Sequence, residues 1–226
     1  MKRLLIVVDP QNDFVSPMGT LSVPNAETAI PNINRLLQSD KFTFRVITQD
    51  WHPCNHVSFA DTHGAEKFTE KETLQAAGRP GGIKTVRQVM WPIHCVAGTS
   101  GAAIHSQINI ERVDAIFRKG VEPDCECYSI FEYVFDKSNK VLFGDEYITS
   151  YFNMIDSLKF DEIVVCGFAT DYCVEATAIS ARRLCENVSV IIDAAAPVAP
   201  DNIHKTYSRL TLLKVALETT AEYLGE

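Results

Sequence analysis

Short, predominantly apolar runs recur along the chain at Leu4–Val8, Phe44–Thr48, Val113–Phe117, Glu162–Cys166, Val188–Ile192 and Lys214–Leu217. They do not alternate strictly with polar residues, which is the pattern of strands buried on both faces of a parallel sheet. Between them, Ile30, Ile33, Leu36 and Leu37 repeat at helical spacing, and Pro31 puts the start of that helix close by. Val174, Ala178, Ala181, Leu184 and Cys185 mark a second helical face, with Asp171 as its N-cap. Strand–helix alternation over residues 1–226 predicts a single doubly wound α/β domain.

Ala60 to Val89 breaks this rhythm. The stretch is polar, contains Arg79-Pro80-Gly81-Gly82 and has no strong period. A long loop insertion at about 60–90 inside a compact domain is usually functional. It reads as a lid or an active-site wall, with a disordered surface insertion as the alternative.

Composition narrows the function. Of 226 residues, 46% are hydrophobic and 22% charged, which excludes wholesale disorder. Lys and Arg number 21 against 29 Asp and Glu, a net charge of −8, with no basic stripe. Nucleic acid and anionic membrane are therefore poor partners, and a small molecule is expected. The seven cysteines are an odd number and cannot all pair internally. Leu4–Val8 is too short for a signal-peptide core or a membrane span, so reduced thiols in a cytoplasmic compartment are expected.

Open α/β sheets bind ligands at the carboxyl ends of their strands. The residues following four of the runs are Asp9, then Asp50-Trp51-His52-Pro53-Cys54-Asn55-His56, then Arg118-Lys119-Gly120, then Gly167 through Cys173. Cys173, in a turn opening a helix, reads as a nucleophile whose thiolate a helix N-terminus and a lysine would favour; the alternative is a small buried hydrophobe. Asp9 suits a proton shuttle, or merely a turn cap. Lys119 could hold both charges, or be a solvated loop lysine. Asp50 and His52, with His94 from Trp91-Pro92-Ile93-His94-Cys95, suit Zn²⁺, Fe²⁺ or Mn²⁺ and leave positions open for water or substrate. His56 lies near this set. A structural zinc site on Cys54, Cys95, Cys125 and Cys127 lacks paired C-x-x-C spacing.

Taken in order, Val8-Asp9-Pro10-Gln11-Asn12-Asp13-Phe14, Asp50-Trp51-His52-Pro53, Trp91-Pro92-Ile93-His94-Cys95-Val96, Arg118-Lys119-Gly120, Tyr128-Ser129-Ile130-Phe131 and Gly167-Phe168-Ala169-Thr170-Asp171-Tyr172-Cys173-Val174 resemble the nicotinamidase branch of the isochorismatase-like cysteine hydrolases. The resemblance implies a three-layer α/β/α fold around a six-stranded parallel sheet. It implies an Asp9–Lys119–Cys173 triad and an oxyanion hole at Ala169 and Cys173, with a cis Phe168–Ala169 bond. A divalent metal, zinc before iron or manganese, is implied on Asp50, His52 and His94. Phe14, Trp91, Tyr128 and Tyr172 are implied around the substrate ring. The implied reaction is hydrolysis of nicotinamide to nicotinate and ammonia through a Cys thioester, feeding NAD salvage, with pyrazinamide as a second substrate. Association of identical subunits is left open. The competing readings are a sibling hydrolase for other small amides, an isochorismatase-type vinyl-ether cleavage, and a non-enzymatic metal or redox scaffold. The metal set disfavours the first and Cys173 the second. The third does not explain Asp9, Lys119 and Cys173 on one rim.

Overall fold

The computed structural model describes residues 1–76, 83–131 and 159–226. Its main sheet has six strands in the order β5-β2-β1-β6-β7-β8: β1 Arg3–Val8, β2 Phe44–Asp50, β5 Ala115–Lys119, β6 Glu162–Phe168, β7 Val188–Ala196 and β8 Ala216–Glu218. All five neighbouring pairs run parallel.

The uninterrupted apolar runs have a direct cause. Along β1, Leu5 and Val7 enter one core with Val15 of the short helix α1, Asn12–Val15, with Ile33, Leu36 and Leu37 of helix α2, Ala26–Gln38, and with Tyr223 of α5, Thr220–Leu224. Leu4, Ile6 and Val8 point the other way, into a core with Ala178 and Ala181 of α3, Glu175–Ala181, and Leu210 of α4, Ile203–Leu212. Helices thus cover both faces, and both side-chain sets of a central strand must be apolar. The edge strand β5 departs from this rule. It alternates, with Ile116 and Arg118 exposed and Phe117 and Lys119 buried.

Four expectations need correction. Pro31 lies inside α2 rather than at its start, which is Ala26 after a left-handed Asn25. Asp171 is not a helix N-cap. It falls within a π-type turn, Thr170–Val174, and its carboxylate accepts the N–H groups of Val198 and Ala199 at 2.9 Å each. The helix that follows ends at Ala181, short of Leu184 and Cys185. Finally, Ala60–Val89 is not a featureless loop. It contains an antiparallel pair, β3 Glu70–Ala76 and β4 Ile83–Val89. Among the described residues no helix layer covers these strands, and polar residues such as Glu70 and Arg87, paired at 3.2 Å, hide the strand pattern. Gly81 and Gly82 of the Arg79–Gly82 segment, with Arg79 and Pro80, lie outside the described residues.

Candidate active site

Parallel register brings the chemistry to one rim. Asp50 and Lys119 are register partners at the ends of β2 and β5. Asp9 follows β1, whose Val8 pairs with Gly167 of β6, and the turn after β6 carries Cys173. Asp9 and Lys119 are fully buried, and Cys173 is 5% exposed.

The Lys119 ammonium is the hub. Its Nζ lies 2.9 Å from Asp9 Oδ2, 2.5 Å from Asp50 Oδ1 and 3.3 Å from Cys173 Sγ. Burial works against its charge, but Asp50 and Asp9 together push its pKa well above the ordinary lysine value. Burial raises Asp9 to about 6, with Lys119 opposing and Asp50 reinforcing the rise. Asp50 is held well below the usual carboxylate range, because Lys119 and His52 overcome its burial. Burial pushes the Cys173 thiol well up, although Lys119 pulls it down. The direction is opposite to that expected of a resting thiolate, because desolvation outweighs the lysine.

Beside this hub stands a ligand set suited to a divalent metal. Single donor atoms of Asp50, His52 and His94 all lie within 4.8 Å of one another. His52 Nδ1 donates to the Gly120 carbonyl at 2.8 Å and His94 Nδ1 to the Pro92 carbonyl at 2.7 Å, since a carbonyl can only accept. In the neutral imidazole each Nε2 then keeps its lone pair, the arrangement that orients metal-bound imidazoles. His52 Nε2 stands 3.7 Å from Asp50 Oδ2, close to the ~3.4 Å edge of a tetrahedral shell with ~2.1 Å bonds. Burial, with His52 nearby, lowers His94 to about 4, so it is neutral as a ligand must be. For His52, burial lowers the pKa, and Asp50 more than reverses this. His56 stacks on His52 with ring centroids 4.0 Å apart and is also lowered to about 4, by burial and then by His52.

Two chain segments meet to build this set. His52 N–H donates to Cys95 O at 3.1 Å and Ala97 N–H to His52 O at 2.8 Å. Asp13 Oδ2 accepts the N–H of Cys95, a left-handed residue next to His94, at 2.7 Å. Gly120 is required beside His52. Its φ is +61°, and a Cβ there would stand 2.3 Å from His52 Cε1.

Above these groups opens a cleft of about 350 Å³ including its mouth, lined among others by Phe14, Trp91, Tyr128, Tyr172, Ala169 and Cys173. The aromatic positions expected around a ring therefore do converge. Tyr172 meets Trp91 edge-on at 4.7 Å, and Trp91 Nε1 donates to Tyr128 Oη at 3.1 Å. Gln88 of β4 donates to the same oxygen at 3.1 Å, so the β3–β4 pair buttresses the cleft wall. The Phe168–Ala169 bond is cis, as expected.

Several residues escaped sequence reasoning. Gln11 clamps Asp50, its amide donating to Asp50 O and accepting from Asp50 N–H, both at 2.8 Å. Thr48 bonds Asp9, and Glu126, Leu21 and Val198 line the cleft. Gln11 stands inside a motif quoted above and was readable there; Thr48 and Val198 look like ordinary strand and loop residues. The groups of metal-capable side chains among the described residues are Asp50/His52/His94, His52/His56/Glu126 and Asp9/Asp50/Cys173; the four-cysteine alternative is not one of them.

A buried thiol, carboxylate and ammonium at the strand ends of a doubly wound sheet define a hydrolase-type site. The isochorismatase domain family model matches residues 3–222, and the chain belongs to that family. It is 37% identical over 206 residues to the nicotinamidase of Saccharomyces cerevisiae, covering 88% of this chain and 90% of that one. It is similar to the structure of the yeast nicotinamidase bound to the inhibitor nicotinaldehyde, with TM-score 0.80, 32% identity, and 96% and 99% of the two chains covered. It is also similar to the pyrazinamidase of Pyrococcus horikoshii in complex with zinc, with TM-score 0.71, 28% identity, and 97% and 99% covered. No helix among the described residues is long and apolar enough to cross a membrane.

Proposed function

We propose that this chain is an amidohydrolase that converts nicotinamide to nicotinate and ammonia through a thioester on Cys173, and that it also accepts pyrazinamide. The observation that carries the reading is Lys119, which touches Asp9, Cys173 and Asp50 at 2.9, 3.3 and 2.5 Å beneath an aromatic cleft. A nucleophile pair and a metal-ligand set share one ammonium, as a ring-bearing amide would need. The substrates named for the similar nicotinamidases and pyrazinamidase support the choice.

In this reading Asp9, catalytic together with Lys119 and Cys173, takes the thiol proton as Sγ attacks the amide carbon. The carbonyl electrons move to oxygen, which the N–H groups of Ala169 and Cys173 receive. Asp9 returns the proton to the departing nitrogen, ammonia leaves and the thioester remains. Water then gives a proton to Asp9 and attacks the acyl carbon. The sulfur leaves and regains its proton from Asp9, and the acid released gives its own proton to solvent as nicotinate.

Phe14, Trp91, Tyr128 and Tyr172 would hold the ring by its faces and edges. Asp50, His52 and His94 would bind a divalent metal, zinc before iron or manganese, and that metal would supply a Lewis-acid anchor for the ring nitrogen. Nicotinate would feed NAD salvage. Seven free thiols support a reducing cytoplasmic setting, and the family match supports one domain over 1–226.

The test is ammonia release from nicotinamide by the purified chain and by Cys173→Ala. Release by the parent and none by the variant is expected. No release by the parent, or equal rates on benzamide, which lacks the ring nitrogen, would overturn the substrate assignment.

A further inference from the structure

Thr48 lies on β2, fully buried, beside the point where β1 gives way to Asp9. Its single hydroxyl makes two hydrogen bonds to the same residue. It accepts the Asp9 backbone N–H at 3.0 Å and donates to Asp9 Oδ1 at 2.5 Å. The direction is unambiguous, because an N–H can only donate and the hydroxyl has one proton, which goes to the carboxylate. Asp9 itself is held at φ +47°, a conformation that L-residues rarely adopt.

The two oxygens of Asp9 are therefore unequal. Oδ1 is capped by Thr48. Oδ2 is buried, has no well-aligned hydrogen bond among the described residues, and faces the Lys119 ammonium at 2.9 Å. An oxygen of Asp9 and Cys173 Sγ belong to one group of donor atoms lying within 4.8 Å of each other.

We infer that Thr48 is a positioning residue that assigns the oxygens of Asp9, fixing Oδ1 and leaving Oδ2 to exchange the proton with Cys173. The inference rests on the hydrolase reading above. The β-branch is part of the device. Two substituents on Cβ restrict χ1, so the hydroxyl stays aimed at Asp9 where serine would sample other rotamers. Valine has the same shape and lacks the hydroxyl, so it separates hydrogen bonding from packing.

The experiment compares the parent chain with Thr48→Val and Thr48→Ser, with kcat expressed per folded molecule. Loss of a hydrogen bond to a charged group predicts kcat reduced by about 10–100-fold in Thr48→Val, with KM within about threefold. Thr48→Ser should recover kcat to within about fivefold of the parent. A merely structural role would lower the melting temperature and leave kcat per folded molecule unchanged. Thr48→Ala stands in where the valine chain fails to fold, with the same expected loss. Thr48→Val with parental kcat, or Thr48→Ser impaired as deeply as Thr48→Val, overturns the inference. A crystal structure of Thr48→Val gives a readout without substrate. An Asp9 carboxylate turned away from Lys119 supports the assignment, and an unchanged rotamer overturns it. Failure of the parent to release ammonia from nicotinamide would count against the substrate reading instead, and the crystal structure would then decide the role of Thr48.

Discussion

Asp50 and Lys119 are register partners on adjacent parallel strands, and their side chains meet at 2.5 Å beyond the strand ends. The same ammonium reaches Asp9, just past the end of β1, at 2.9 Å. One lysine thus lies between two fully or nearly fully buried carboxylates, and its charge offsets their mutual repulsion.

Lys119→Met keeps the length of the side chain and removes its charge. Breaking a buried ion pair by deleting one partner costs about 3–5 kcal/mol. The variant, freed of metal by chelation, should lose stability of that order at neutral pH in a denaturant titration. A loss below about 1 kcal/mol would mean that water already solvates these carboxylates.

The pH dependence of the rate follows from Asp9, raised to about 6 chiefly by burial. In the proposed mechanism the ionised form is the base, and it predominates above that pH. kcat/KM should therefore fall as pH drops through about 6, approaching tenfold per unit on the acid side. Asp9→Asn should abolish this limb along with most of the activity. A profile still flat well below the midpoint, at roughly pH 5, would remove Asp9 from the role of base.

The thiols give a contrast that sequence alone ordered the other way. Burial raises the pKa of the Cys173 thiol and leaves it 5% exposed, whereas Cys54 is exposed. Iodoacetamide at neutral pH should label Cys54 before Cys173, read by peptide mass spectrometry, with Cys173 labelling accelerating as pH rises. Faster labelling of Cys173 would show a stable thiolate and restore the simpler expectation.

How much of this was legible depended on how much physics each residue wore on its surface. Leu4–Val8 announced a strand buried on both faces because both of its side-chain sets enter a core. Asp9, Asp50, Lys119 and Cys173 were legible because charged or nucleophilic groups ending apolar runs are uncommon. The β3–β4 pair was not legible, since strands outside the main sheet have no reason to be apolar. Asp171 misled because an acidic residue before a helix usually caps it; here its carboxylate serves Val198 and Ala199, distant in sequence. Thr48 was invisible for the opposite reason, a threonine in a strand being the most ordinary of choices.

Gly120 offers a test of the metal set that leaves every ligand in place. Its φ of +61° is strained for any L-residue with a side chain, and an added Cβ would lie 2.3 Å from His52 Cε1 and 2.6 Å from Nδ1. The His52 ring must then move, and its 2.8 Å bond to the Gly120 carbonyl goes with it. That bond fixes which ring nitrogen is left with a lone pair, and loss of such a support typically costs about 10–100-fold in metal affinity. Gly120→Ala should therefore bind zinc about 10–100-fold more weakly in a competition titration with a chromophoric chelator. The sheet should survive, because Gly120 follows the last residue of the edge strand β5 and takes no part in its register pairs. Far-ultraviolet circular dichroism would verify that. Parental zinc affinity in a folded Gly120→Ala chain would mean that His52 is not held by this carbonyl, and that Asp50 and His94 bind without it.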